Sequence, residues 1–451
     1  MTVSVARLTR RVPPLLREVT FRRYWTAQSV SMLGDQVTTI AMPLAAVLTL
    51  HATASDMGYL TALEWLPSLM FGLVAGAWVD RRGRRRAVMI GADLGRFLLL
   101  ASVPVCYGLG VLTLGQLYGV AFGAGLLSIF FTVSDATMFV AIVPKDQYVE
   151  GNSLVYGSRA MSFVVGPSVG GLLVQLLSAP AALAADALSF LGSAFSLSRI
   201  APEEPPPDPG GRGSVTAGAR FVAGSPVVRA SLMAVAVINF FTLMYFTLFV
   251  LYATRDLHVH AGLLGLVLGA AAVGGVLGAA LTRRLAAAIG VGWAYIAGCA
   301  GYTAPLALIP LAAGTRPEVL AMLFAAEFCS GFGVMVLDIS IGSIFAAVIP
   351  DKLRARVTGA FQAVNYGTRP IGALAGGILG SSVGLRSTLW IGVAGGFAGA
   401  LLLLASPLPR FRMPGQTPDM EKGAAPDGLA DAAPDRPGGG TDGQQPEPAA
   451  P

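Results

Sequence analysis

Long apolar stretches alternate with short polar ones along most of the chain, at the period expected of membrane-spanning helices. Between charged or Pro/Gly-marked breaks there are twelve runs, with cores near 25–50, 57–79, 87–111, 116–142, 153–178, 181–199, 229–252, 261–282, 291–313, 319–347, 358–381 and 387–406. About 20 apolar residues at ~1.5 Å each cross a hydrocarbon layer of ~30 Å. Backbone groups find no water there, so each run is expected to close its own hydrogen bonds as a helix. The predicted class is an all-α membrane protein with twelve spans, and an even number of spans puts both termini on one side.

Composition agrees with a bilayer as the solvent. Hydrophobic residues make up 54% of the chain and charged residues 12%, which excludes an ordinary soluble globule. The 56 glycines suit helices that pack backbone to backbone. Arginine and lysine set the orientation. One set of loops holds Arg7, Arg10, Arg11, Arg17, Arg22, Arg23, the cluster Arg81 to Arg86, Lys145, Arg199, Arg212, Arg220, Arg229, Arg283, Arg284, Lys352, Arg354 and Arg356. The opposite loops hold only Arg255, Arg316 and Arg386. Both termini are therefore expected in the cytoplasm, with the chain in the inner membrane. The residues from Met413 onward carry a net −5 against +6 for the whole chain, leaving +11 on the rest. That basic balance suits loops beside anionic lipid, and no basic-aromatic patch suggests nucleic acid.

Candidate chemistry is sparse. Cys106, Cys299 and Cys329 fall inside apolar runs without ligand spacing, and His51, His258 and His260 fall in outward loops. Neither a metal site nor a disulfide framework is expected. None of Lys145, Lys352 or Lys422 follows a glycine in a phosphate-binding loop, so the chain carries no nucleotide-driven engine. No cofactor is expected, and neither is an enzyme.

The chain repeats itself at an offset of roughly two hundred residues. Gly76-x-x-x-Asp80-Arg81-Arg82 is echoed by Gly278-x-x-x-Thr282-Arg283-Arg284, and Pro144-Lys145-Asp146 by Pro350-Asp351-Lys352. Asp135 corresponds to Asp338. The predicted organisation is a cytoplasmic arm (1–24), a six-helix half (25–200), a proline-rich cytoplasmic linker (201–228), a second six-helix half (229–412) and a Pro/Gly/Asp-rich tail (413–451) disordered by composition.

The segment Gly76-Ala77-Trp78-Val79-Asp80-Arg81-Arg82-Gly83-Arg84-Arg85-Arg86 resembles the loop between helices 2 and 3 of the major facilitator superfamily. The resemblance implies two pseudo-symmetric halves with a substrate site between them, and a gating role for Gly76, Asp80, Arg81, Gly83 and Arg84. Asp80 would lock the halves in the outside-facing state, against the positive N-terminal end of helix 11 near Thr358. Gly166-Pro167-Ser168-Val169-Gly170-Gly171 is similar to the antiporter signature of exporters, although Ser153 and Ser162 stand where that pattern prefers glycine. With Asp186-Ala187-Leu188-Ser189-Phe190, Asn152-Ser153-Leu154 and Gly34-Asp35, it resembles the drug:proton antiporter branch that includes macrolide efflux proteins and the enterobactin exporter. Asp135 departs from that branch, which has proline there.

An acid at the centre of a bilayer costs about 2.5–3.5 kcal/mol or more, so each needs a reason. Asp35 lies twelve residues past Arg23, roughly 18 Å and near midplane. Gln28, Ser31 and Thr38 share its face. Asp135, Asp338 and Glu327 are the other proton-coupling candidates, Asp135 about as deep as Asp35 and Glu327 on the face of Asp338. Gln362, Asn365, Tyr366 and Arg369 form a polar stripe, and with Gln28 and Asn239 they are candidate cavity residues. Arg369 or Arg159 is available to neutralise one acid, and Asp93 and Arg96 to satisfy each other at i,i+3. Glu64 and Asp186 are placed nearer the outer face, and Phe240, Phe241, Tyr245 and Phe246 line the cavity.

These features predict a secondary exporter that couples inward proton movement to efflux of amphipathic drugs or natural products by alternating access. The proton gradient is its energy source, a small molecule its substrate, the bilayer its partner and the monomer its state. The rivals are a siderophore or specific metabolite exporter of the same fold, and a transport-inactive membrane receptor or scaffold. Deleting residues 415–451 removes no apolar face, so membrane expression and transport are expected to stay within about twofold of the full chain, measured by quantitative blotting and efflux.

Overall fold

The computed structural model describes residues 13–201 and 215–411. Within the helices the side chains of residues 73, 77, 80, 215–219, 351, 352, 355 and 356 lie outside that description, as do residues 1–12 of the N-terminal arm, 202–214 of the linker and the tail. Twelve long helices make up the fold. The first six are α1 (Val19–Leu44), α2 (Ala54–Arg82), α3 (Arg85–Gly108), α4 (Leu114–Ile142), α5 (Tyr148–Leu176) and α6 (Ala179–Ser198). The second six are α7 (Pro226–Arg255), α8 (Ala261–Ile289), α9 (Val291–Thr303), α10 (Arg316–Val348), α11 (Asp351–Ser382) and α12 (Leu385–Leu402).

Among the described residues ten of these are long and apolar enough to cross a membrane, α9 together with the turns that continue it to Leu311, and α2 and α11 are the two outside that group. Both are long, at 29 and 32 residues, with a proline inside, Pro67 or Pro370. They pack on each other, α2 also on α4 and α11 also on α7. α11 begins at Asp351, about two turns before the start expected near Thr358. Local chemistry sets several ends. Thr53 caps α2 in a reciprocal box with Asp56, and Thr315 pairs in the same way with Glu318 at the start of α10. Gly83 ends α2 at φ +62°, a left-handed geometry that glycine adopts without strain, so the chain turns at once into α3.

The repeat is carried through to packing. In the first half α1 packs on α5 and α6, α3 on α4 and α6, and α2 on α4. In the second half α7 packs on α11 and α12, α9 on α10 and α12, and α8 on α10. Fine details repeat as well. His51 and His258, each just beyond the first helix of its half, both take φ +53°. The short helix Pro14–Arg17 buries Leu15 against α5, as Val215–Gly224 buries Val222 against α11.

Two crossings join the halves, α2 with α11 and α5 with α8, and they are equivalent under the repeat. Each is a glycine pair. A Cβ on Gly58 would lie 2.8 Å from the Cα of Gly377, and one on Gly171 would lie 2.9 Å from the Cα of Gly265. Both pairs sit toward the end of the molecule opposite the arginine-rich turns, where Ser55 Oγ also donates to Ser381 Oγ at 3.0 Å and Arg255 to the carbonyl of Ala52 at 2.8 Å. At the arginine-rich end Gly76 of α2 and Gly359 of α11 have nothing among the described residues within 4 Å of a would-be Cβ.

Overpacking a close contact typically costs about 1–3 kcal/mol. Gly171→Leu is expected to cost at least that much in detergent unfolding, whereas Gly192→Leu, with nothing within 4 Å, leaves the transition unchanged.

Candidate functional site

A cavity of about 450 Å³ opens within the first half and reaches α11. Its wall combines charge and rings: Asp35 and Thr38 from α1, Glu64 and Trp65 from α2, Arg96 from α3, Ser128 and Thr132 from α4, Asp186 and Phe190 from α6, and Tyr366 from α11. Trp65 stacks on Tyr366 across the two halves, with ring centroids 6.0 Å apart.

Arg96 is the centre of this wall. Its side chain is 4% exposed, and it forms an ion pair with Asp93 one turn earlier on α3. Its guanidinium carbon lies 4.0 Å from the ring centre of Phe190 and 4.6 Å from that of Phe131. Rings on the guanidinium restore part of the solvation that burial removes. Asp35 approaches the same guanidinium at 3.9 Å, but its own side chain is 49% exposed. The two acids thus share one cation unequally. Asp93 is enclosed and permanently engaged, and Asp35 faces the cavity.

Asp186 departs from the expectation of easy solvation near the outer face. It is fully buried. Thr38 Oγ1 donates to one of its oxygens and Ser189 Oγ to the other at 2.8 Å. A side chain at position 34 would run into Asp186 and Ser189, which explains glycine beside Asp35. Glu64 stands in the outer half of α2, as expected, and lines the cavity. It lies about 15 Å along α2 from Ala54.

Other candidates are dispersed. Asp135 is not as deep as Asp35. It lies about 10 Å from the arginine-rich end of α4 and accepts hydrogen bonds from Tyr24, at 2.6 Å, and Gln28. Gln28 is buried in that contact and does not reach the cavity. Glu327 and Asp338 share a helix face but end in different surroundings. Glu327 is 2% exposed with Oε1 unpartnered among the described residues, and Asp338 is exposed. Asn239 donates back to the carbonyl of Val235 in its own helix at 2.9 Å. Gln362 is exposed, and Asn365 is half-buried with Oδ1 unpartnered. Neither they nor Arg369 line the cavity, of which Tyr366 is the α11 member. The Arg369 guanidinium lies 4.2 Å from the Trp65 ring and 5.2 Å from that of Tyr366, and Arg159 lies over its neighbour Tyr156.

The expected aromatic lining from α7 is also displaced. Tyr245 is 1% exposed and stacks on Phe249 in the core, and Phe240 packs edge to face on Phe241. Trp65, Phe190 and Tyr366 supply the rings instead. Gly166 and Gly170 let α5 approach Gln36 and Val37 of α1, while Gly171 serves the crossing to α8. Pro167 sits inside α5, and its carbonyl faces Gly265. In the α2–α3 turn, Arg81 and Arg84 are exposed and Arg82 lies over Trp78 at 4.8 Å. Arg86 donates to the carbonyls of Leu197 and Ser198 at the end of α6, where the helix dipole is negative. The Asp80 side chain is outside the described residues, so its lock is left as a sequence expectation.

A family profile described as transmembrane secretion effector matches residues 11–427. The multidrug efflux pump Tap of Mycolicibacterium fortuitum is 27% identical over 382 residues, 79% of this chain and 88% of that protein. Tap of Mycobacterium tuberculosis is 26% identical over 413 residues, 86% of this chain and 92% of that protein. Among solved structures, the inward-facing state of a bacterial homologue of the iron transporter ferroportin superposes with a TM-score of 0.69 at 15% identity, covering 87% of this chain and 99% of that one. Its outward-facing state gives 0.56 at 16% identity, covering 86% and 99%.

Removing one partner of a buried ion pair strands the other charge, at a cost of about 3–5 kcal/mol. Arg96→Gln is expected to destabilise by that order in detergent unfolding, and adding Asp93→Asn should recover most of the loss.

Proposed function

Because the chain belongs to the transmembrane secretion effector family of the major facilitator superfamily, we propose that it exports amphipathic, cationic small molecules in exchange for protons by alternating access. It is a multi-pass membrane transporter and not an enzyme. The arginine-rich face is assigned to the cytoplasmic side of the inner membrane, with both termini on that face and the monomer as the working unit.

The observation that carries this proposal is the position of Asp35. Its carboxyl stands half-exposed in a ring-walled cavity, beside a guanidinium already engaged by Asp93. A proton or a cationic cargo can therefore compete for it, which is the elementary requirement of an exchanger. Glu64 adds a second acid to the wall, and Trp65, Phe190 and Tyr366 offer faces to an apolar or cationic body. An anionic cargo such as a siderophore would meet these acids unfavourably. The efflux pumps among its relatives support the export direction.

Contacts between the halves at the end opposite the arginines, with open space at Gly76 and Gly359, support an inward-facing state. Closing the arginine-rich end would bring α2 and α11 together there, and the Asp80 lock belongs to that closed state. One proton moving inward down 100 mV releases about 2.3 kcal/mol, enough to bias export roughly fortyfold without nucleotide.

Asp35→Asn is expected to abolish efflux driven by an imposed pH gradient in proteoliposomes, while the protein inserts and melts as the parent does. A mutant that still concentrates substrate under that gradient would place coupling elsewhere, with Asp338 the next acid to test.

A further inference from the structure

Asp186 takes no part in the exchange just described, yet it is the most enclosed acid of the cavity wall, at 0% exposure. Its two carboxyl oxygens are met by hydroxyl groups, Thr38 Oγ1 on one and Ser189 Oγ on the other. The charged groups facing it are Asp35 on α1 and Arg96 on α3, the latter paired with Asp93. The remaining neighbour, α5, carries Arg159 over its own Tyr156.

Three carboxyls therefore surround one guanidinium, and two of them, Asp93 and Asp186, are closed to water. All three cannot be ionised there without an uncompensated buried charge. Asp93 has the direct ion pair and Asp35 has solvent, which leaves Asp186 with neither. Its hydroxyl partners suit both of its forms. Each hydroxyl can donate to a carboxylate, and each can rotate to accept from a protonated carboxyl. A guanidinium partner would have no such freedom. The α1 backbone at Gly34 abuts Asp186 directly, one residue from Asp35, so a shift of α1 reaches both acids.

We propose that Asp186 is a second proton-carrying carboxyl of the transport cycle. A hydronium ion from the outer side gives up one O–H bond as a new O–H bond forms on one oxygen of Asp186; the hydroxyl facing that oxygen, Thr38 or Ser189, rotates to accept, and the other goes on donating to the second oxygen. When the halves exchange, that bond breaks and the proton joins water on the cytoplasmic side, with no electron transferred. The role presupposes an exchange in which Asp35 handles cargo and the other proton, so the two acids are tested separately.

Infrared difference spectra of the purified protein between about pH 9 and about pH 5 report protonated carboxyls by their C=O stretch. Asp186→Asn is expected to remove one such band and Asp35→Asn a different one. Thr38→Val with Ser189→Ala keeps the acid but should displace its band and titration midpoint, which covers the case in which Asp186→Asn does not fold. In proteoliposomes with the potential clamped, a one-unit pH gradient limits accumulation to about tenfold per proton, about a hundredfold for two. With ethidium as the probe, the parent is expected to exceed tenfold and Asp186→Asn to stall near it. An Asp186→Asn spectrum with every band retained, or an accumulation limit equal to the parent's, would overturn the proposal. Loss of the Asp186 band with full pumping by Asp35→Asn would instead remove Asp35 from its role and leave Asp186 standing. The infrared bands need no cargo, so they decide even if ethidium is carried poorly.

Discussion

The buried guanidinium of Arg96 is the contact on which the cavity is organised. Holding a cation inside a helical bundle requires counter-charge and polarisable neighbours, because hydrocarbon supplies neither. Asp93 provides the first from the same helix, and Phe131 and Phe190 provide the second from α4 and α6. Three helices are thereby tied to one group, and the position of Asp35 on a fourth follows from it. An acid in that place can remain half-solvated, since its full neutralisation is not needed to hold the bundle together. A buried acid and a solvated one thus stand within a few ångströms of the same guanidinium.

A second constraint acts between the halves. No hydrophobic force drives two helices together in lipid, so close approach depends on surfaces that fit. Gly58 against Gly377 and Gly171 against Gly265 let backbones meet at two equivalent crossings. Such contacts carry no long side chains that would have to disentangle in the movement proposed above. The Trp65–Tyr366 stack, with Arg369 laid on Trp65, continues the α2–α11 crossing inward to the cavity. Cargo seated against those rings would touch both halves at once, which is how occupancy can bias their movement.

The apolar runs determined the helical architecture by themselves, because backbone in a bilayer has no alternative to helices or closed barrels. The offset repeat determined the two halves, and it is carried down to the matching φ of His51 and His258. The i,i+3 spacing likewise determined the Asp93–Arg96 pair, since that contact lies within one turn of helix. Gly83 carried its own reason, a left-handed cap that needs no tertiary partner. What tertiary structure decided was the company kept by every other polar residue. Depth along a helix is readable by counting, but the facing helix is not. Asp186 was enclosed by Thr38 across the α1–α6 contact, Asp135 was claimed by Tyr24 and Gln28, and Tyr245 of α7 was turned into the core. Glu64, Trp65 and Phe190 reached the cavity only because six helices converge there. A one-dimensional pattern specifies which residues must be buried. It does not specify against what, because that depends on which helices the small residues allow to touch.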